Sequence, residues 1–321
     1  MNKISQSYSV DIICPVYNKA HLIDLFIRSF LNNLSDGNFN LILINDGSTD
    51  NIEEVVSKYK NKNIKIFNKE NGGVSSARNM GLKLATARYI WFCDPDDEVI
   101  VNGDSITQLL ERENADLYVF SYEESKQGKK IIFRDIGAEN KKYDFRDYLL
   151  EHDYFGKNNG ISTLWNKIYS RSILEGHNFD VKLSNAEDRM FNLNIFSNQG
   201  QCYVSDVTIY NHIIYEDGTL STVKSYKKIE NIRLVNEKNI QIISSYKSDV
   251  TIEKKKNITI LCKELMIYGR KDIPKFYFEE HKKQGLSVFP LLHWSDIIYM
   301  IPFNTKIYKI IKGLKKILIF K

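Results

Sequence analysis

Apolar runs alternate with segments of helically spaced apolar positions over the first 120 residues of the chain. Tyr8 to Cys14 is an apolar run that stops at Pro15. From His21 to Leu34, the residues Leu22, Leu25, Phe26 and Phe30 recur at helical spacing. A second apolar run, Phe39 to Ile44, ends at Asn45-Asp46-Gly47, and Asp50 is placed to cap a helix through Lys58. Ile64 to Phe67 predicts a short strand, Ser75 to Ala87 a helix, and Tyr89 to Cys93 a fourth strand. Asp104 to Glu113 reads as a helix before the strand Leu117 to Phe120. Strands separated by helices of about a dozen residues predict βαβ units and a mainly parallel sheet.

Beyond Phe120 the regularity fades. Helices are expected over Asp144 to His152 and Glu187 to Ser197, with one or two strands from Gln201 to Ile214. From about Tyr226 the chain is rich in lysine and helix-forming residues. The expected organisation is therefore an α/β domain over residues 1–225 and a helical appendage over 226–321.

Hydrophobic content of 43% and charged content of 26% are those of a folded protein. Four widely spaced cysteines show no metal-ligand spacing, and Cys14 and Cys93 lie inside apolar runs. Buried free thiols fit a reducing compartment. The start of the chain lacks the apolar core of a signal peptide, so a cytoplasmic location is expected. The net charge of +5 is modest, but Asn304 to Lys321 carries six lysines and no acid, interleaved with apolar residues. That pattern suits a basic amphipathic helix on an anionic membrane surface. The plainer alternative is a terminal helix docked on the protein. No basic stripe with stacking aromatics points to nucleic acid.

The strongest chemical signal is Asp94-Pro95-Asp96-Asp97, which directly follows the apolar run Tyr89 to Cys93. Three carboxylates this close repel one another unless a cation or water shares their charge. Oxygen ligands of this kind suit Mg²⁺ or Mn²⁺ carried on a substrate phosphate. Parallel strands share a carboxyl edge, where open α/β sheets bind ligands. The same edge should receive Pro15-Val16-Tyr17-Asn18-Lys19, Asn45-Asp46-Gly47-Ser48-Thr49-Asp50 and Asn71-Gly72-Gly73 through Ala77-Arg78-Asn79. Tyr17 offers a face for a base, Asp46 can accept from a pyrimidine edge, and Gly72 and Gly73 permit close backbone approach. Lys19 and Arg78 suit phosphate or ribose oxygens. Plainer readings exist: Tyr17 packing, Asp46-Gly47 as a turn only, Arg78 paired with Glu70. Neither a Walker phosphate loop nor a Gly-x-Gly-x-x-Gly run is present.

Taken in order, those four segments resemble the signature of family-two glycosyltransferases with the GT-A fold, closely over roughly the first hundred residues. Trp165-Asn166-Lys167-Ile168-Tyr169 and Glu187-Asp188-Arg189 resemble the family's acceptor-side segments. Tyr210-Asn211-His212 with Ser221 resembles its aromatic strand and serine. The resemblance implies inverting transfer of a sugar from a nucleotide-sugar, commonly a UDP-sugar. By that resemblance Pro15, Tyr17, Lys19, Asp46, Gly73, Arg78 and Asp94 would bind the donor. Asp96, with Asp94, would hold Mn²⁺ or Mg²⁺, and Asp188 would be the general base, with Glu187 its competitor. A pair of acids at a helix N-terminus also simply complements the dipole. His212 is a further candidate ligand, the alternative being a satisfied strand histidine. Trp165 is either an acceptor wall or core.

The Gln-x-x-Arg-Trp element of processive relatives is absent, which implies addition of one sugar per acceptor. The acceptor implied is a saccharide, lipid-linked at the inner face of the membrane, in bacterial surface polysaccharide or lipopolysaccharide synthesis. Two other classes compete. A sugar-phosphate nucleotidyltransferase would carry a basic Gly-rich loop after its first strand, and a non-catalytic nucleotide-binding scaffold at the membrane would not need Asp96 or Asp188.

Overall fold

The computed structural model describes residues 9–34, 37–59, 61–126, 129–133, 140–151, 160–215, 226–270 and 272–288. The chain divides into two compact units, Met1–Leu183 with Glu187–Thr219, and Ser184–Ala186 with Leu220–Lys321. The lysine-rich tail lies outside the described residues. Among those described, no helix is long and apolar enough to cross a membrane.

The first unit is built on a mixed sheet. Its parallel part comprises β3 (Ile64–Asn68), β2 (Phe39–Asn45), β1 (Val10–Val16) and β4 (Tyr89–Phe92), in that spatial order. Next comes β9 (Lys167–Ser170), antiparallel to both β4 and β6 (Leu117–Lys126). Then β10 (Gln201–Ile214) runs parallel to β6, and β5 (Glu98–Val99) closes the path antiparallel to β10. Off this path, β7 (Lys129–Phe133) pairs with β6 and β8 (Lys141–Asp144) with β10.

Every residue of β1 is buried, which explains its unbroken apolar run: both faces are covered. On one face, Val10, Ile12, Cys14 and Val16 join a core with Ile23, Phe26, Ile27 and Phe30 of α1 (Ala20–Asn33) and Ile52 and Val56 of α2 (Ile52–Ser57). On the other, Ile13 meets α3 (Val74–Leu84) so closely that a Cβ on Gly81 would lie 2.3 Å from its Cγ2. The helices α4 (Gly103–Glu113), α5 (Phe145–Glu151) and α6 (Glu187–Phe196) complete the unit. The second unit contains α7 (Tyr226–Ser244), α8 (Thr251–Tyr268) and α9 (Ile273–Lys283), packed around Ile229, Ile258, Leu261, Leu265 and Phe276.

Three element ends differ from the sequence pattern for identifiable reasons. β1 runs through Pro15 to Val16. Ile13 bonds toward β4, so Pro15, two residues on, also turns its nitrogen that way, past the end of the β4 pairing at Phe92. No ladder bond is lost there. α3 stops at Leu84 rather than Ala87, because the buried Asp11 carboxylate takes the Thr86 and Ala87 N–H groups at 2.7 and 2.8 Å. Asp50 does not cap the helix that follows it. Its Oδ2 accepts from Ala20 N at 2.8 Å and so caps α1 instead.

Candidate active site

The carboxyl ends of β1, β2 and β4 share one edge, and the four segments singled out from sequence meet there. After β1, Asn18 adopts a left-handed conformation (φ 51°). Its N–H donates to Ser48 Oγ at 3.0 Å and its Oδ1 accepts from Thr49 N at 2.8 Å. The β1 and β2 loops are thereby zipped together. Tyr17, beside this seam, is 48% exposed and presents a free ring.

Asp46 is buried at the end of β2, with both carboxylate oxygens engaged by the loop before α3. Oδ1 takes the Gly72 N–H at 3.0 Å and pairs with Lys69, and Oδ2 takes the Gly73 N–H at 2.7 Å. Gly73 has φ 83°, a conformation that delivers its N–H to Asp46 without a Cβ penalty. Gly47 is equally constrained: at φ 73°, a Cβ there would lie 2.8 Å from Asn71 N. Asp46 therefore shapes the loop.

Arg78 projects from α3 into the protein, with only 8% of its side chain exposed. It is not paired with Glu70. Nη1 donates to Glu187 Oε1 at 3.0 Å and Nη2 to Asp94 Oδ1 at 3.3 Å, while the guanidinium lies over the Phe179 ring. This bridge joins the acidic turn after β4 to the first turn of α6. The two flanking carboxylates keep Arg78 charged against the cost of burial. Asn79, its neighbour, clasps the Phe179 backbone with two bonds, Nδ2 to the carbonyl at 2.9 Å and Oδ1 from the N–H at 2.8 Å. Phe179 in turn stacks on Phe191 of α6, their ring centroids 4.0 Å apart.

Each carboxylate of Asp94-Pro95-Asp96-Asp97 has a different partner. Asp94 has Arg78. Asp96 Oδ2 takes Lys19 Nζ at 3.0 Å. Asp97 is buried, accepts from Ile213 N at 2.8 Å, and has its pKa pushed well up by that burial and by the Asp94 charge. β10 pins the turn further. Tyr210 Oη accepts from Asp94 N at 2.9 Å, and Tyr215 Oη donates to the Asp96 carbonyl at 3.1 Å.

At α6, Arg78 separates the two acids. Glu187 is bound to it; Asp188 accepts the Arg189 N–H at 2.7 Å and has its pKa pushed up to about 7, chiefly by burial and then by the Glu187 charge. A carboxylate poised there suits proton abstraction near neutral pH. His212 stacks flat on Trp165 and lies 3.6 Å from Glu124. Trp165 is buried between Tyr122, Tyr210 and His212, with its carbonyl taken by Trp91 Nε1, so it is core.

Among the described residues no cluster of three His, Cys, Asp or Glu side chains could by itself hold a metal. A cation that keeps several waters and rides on a diphosphate needs only one or two protein carboxylates. The oxygen donors of Asp94 and Asp96 fit that role. Cys14 and Cys93 beneath the turn are buried with raised thiol pKa values, hence unreactive. A cavity of about 530 Å³ lies at the opposite edge of the sheet, around Ser9, Arg88, Asn114, Ser170 and Arg171, and shares no residue with this cluster.

A family model described as "Glycosyl transferase family 2" matches residues 11–177. The chain is 46% identical over 103 residues to the minor teichoic acid biosynthesis protein GgaB of Bacillus subtilis, covering 31% of this chain and 11% of GgaB. It is 31% identical over 208 residues to "Uncharacterized glycosyltransferase EpsJ" of Bacillus subtilis, covering 63% of this chain and 60% of EpsJ. The match to the poly(ribitol-phosphate) beta-N-acetylglucosaminyltransferase TarP of Staphylococcus aureus is 29% over 203 residues, 59% of this chain and 58% of TarP. In structure the chain resembles S. aureus TarS 1–349 in complex with UDP-GlcNAc, with a TM-score of 0.60, 20% identity, and coverage of 87% of this chain and 93% of that one. That likeness establishes the GT-A fold.

Proposed function

The chain belongs to glycosyl transferase family 2, and on that premise we propose that it transfers one sugar from a UDP-sugar to a hydroxyl of a cell-surface saccharide, with inversion at the anomeric carbon. The observation that carries this reading is the Arg78 bridge, which holds the acidic turn and the Glu187-Asp188 pair in one site while leaving Asp188 as the acid with the raised pKa. UDP as the donor nucleotide is supported by the TarS complex, and a surface polymer as the acceptor class by the names of GgaB and TarP.

In the proposed reaction Asp188 takes the proton of the acceptor hydroxyl, whose oxygen forms the bond to the anomeric carbon. The bond from that carbon to the diphosphate oxygen breaks, and its electron pair leaves with UDP. A base so placed contributes roughly 10²- to 10⁴-fold. Bound at Asp94 and Asp96, Mn²⁺ or Mg²⁺ would supply charge neutralisation for the departing diphosphate. Tyr17 offers its exposed ring to the base, and Lys19 its ammonium to the phosphates. Arg78 serves the donor site indirectly, by fixing Asp94. The lysine-rich tail of residues 304–321 is the segment proposed to hold the enzyme at the inner membrane surface near a lipid-linked acceptor.

Release of UDP from a panel of UDP-sugars with Mn²⁺, with and without surface-polymer acceptors, tests the reading. Turnover by the wild type and none by Asp188→Asn, with UDP affinity retained, is expected. A chain that binds UDP yet never releases it from any sugar would be a nucleotide-binding scaffold. Pyrophosphate formation from UTP and a sugar phosphate would identify a nucleotidyltransferase.

A further inference from the structure

We propose that Lys19 is a counter-ion gate on Asp96, which makes divalent-cation binding depend on the diphosphate of the donor. This rests on the proposed donor site and deepens it. The backbone around Lys19 is anchored on both sides by the β2 loop. Asn18 N is bound to Ser48 Oγ at 3.0 Å, and Ala20 N to Asp50 Oδ2 at 2.8 Å. Only the lysine side chain is left to move, and its ammonium sits 3.0 Å from Asp96 Oδ2.

The neighbouring carboxylates cannot substitute as its partner. Asp94 is engaged by Arg78, and Asp97 is buried against β10. Lys19 and Asp96 both touch solvent, with 35% and 19% of their side chains exposed, whereas the Arg78 guanidinium that holds Asp94 is only 8% exposed. An ion pair at that exposure is worth little, so it can be exchanged in normal turnover. It differs in this from the buried Arg78 bridge, whose rupture would strand charges.

The consequence is a coupling between two ligands. A divalent ion arriving alone must displace the ammonium from Asp96 and leave it nearby with no anion to meet. An ion arriving with a diphosphate brings phosphate oxygens to which the released ammonium can turn. Cation and nucleotide therefore favour each other, and by linkage each must raise the other's affinity by the same factor. A lysine that only shaped the loop would leave that factor untouched.

The test is a titration of Mn²⁺, read as free Mn²⁺ by electron paramagnetic resonance, on wild type, Lys19→Met and Lys19→Arg, each with and without UDP. UDP affinity with and without Mn²⁺ is measured by calorimetry. Lys19→Met is expected to bind Mn²⁺ alone about fivefold more tightly than wild type and to show a correspondingly smaller mutual enhancement. Lys19→Arg, which keeps the charge, should stay near wild type. In an Asp96→Asn background, Lys19→Met should leave the affinity for Mn²⁺ alone unchanged. Should Lys19→Met prove unstable, Lys19→Gln removes the same charge and carries the same expectation. If UDP and Mn²⁺ bind together but their coupling is the same in Lys19→Met and wild type, the gate is wrong and the donor site stands. If UDP does not bind wild type at any Mn²⁺ concentration, the donor site and the gate both fall.

Discussion

Arg78 offers the sharpest test of how the site is built, because two readings of it expect opposite results. As a donor ligand it would matter for UDP and little for folding. As an internal strut it would matter for folding first. The structure shows a side chain 8% exposed, bonded at 3.0 Å to Glu187, itself only 14% exposed, and at 3.3 Å to Asp94, which is 33% exposed. Arg78→Met leaves Glu187 as an uncompensated, mostly buried charge, a loss of about 3–5 kcal/mol. Asp94 is wet enough to add little. At about 2–4 °C per kcal/mol for a unit of this size, the melting temperature should fall by on the order of 10 °C. Arg78→Lys should recover part of this, since an ammonium can serve one carboxylate but not fork between two. Adding Glu187→Gln to Arg78→Met should also recover part, by removing the stranded charge. Thermal unfolding followed by circular dichroism gives the first readout, and calorimetric UDP affinity of the folded variant the second. A variant that melts within about 3 °C of wild type but loses tenfold in UDP affinity would refute the strut and restore Arg78 as a ligand.

Other expectations concern the base, the acidic turn and the packing beneath it. With Asp188 at about 7, kcat/KM should fall as pH drops through neutrality, and Glu187→Gln should move that limb to lower pH by removing the nearby charge; an unmoved limb would exclude Asp188. The same raised pKa means that ionising Asp188 costs stability as pH climbs from about 4 toward 7, so Asp188→Asn should flatten that decline in a pH series of melts. Asp96→Asn should abolish the Mn²⁺ dependence of UDP binding without lowering the melting temperature, measured on the same samples. Tyr210→Phe removes the bond to Asp94 N and should cost about 1 kcal/mol together with a higher donor KM. Gly81→Ala drives a methyl into Ile13 and should cost about 1–3 kcal/mol in denaturant unfolding.

What could be read from the chain was whatever depends on local period and on shared topology. Apolar runs separated by helical segments specify the parallel half of the sheet, and parallel strands must present their carboxyl ends together, so topology alone puts the four segments at one edge. Long-range partners were another matter. Arg78 and Glu187 are 109 residues apart, and no local rule selects Glu187 over Glu70, which is far nearer in sequence. Asp50 looks like a cap for the helix it precedes, but the N–H it serves is 30 residues earlier. Lys167–Ser170 is too short for its period to declare a strand, yet it lies between β4 and β6 in the sheet. Its preceding Trp165, an aromatic that could have faced a sugar, is used to pack β10.

The acidic turn shows why those unreadable partners matter for chemistry. Asp94, Asp96 and Asp97 would repel one another wherever they stood, and the chain does not relieve that with one shared counter-charge. It gives them an arginine from α3, a lysine from the start of α1 and a backbone N–H from β10. Each relief has a different permanence. Burial holds Asp97 toward its neutral form, where it serves geometry. The buried arginine holds Asp94 for as long as the fold persists, and the same guanidinium positions Glu187 beside Asp188. Only the Asp96 carboxylate is left with a partner that water can reach and a ligand can replace. The sequence motif identifies three similar acids, and it is their surroundings, drawn from three distant elements, that make one of them exchangeable.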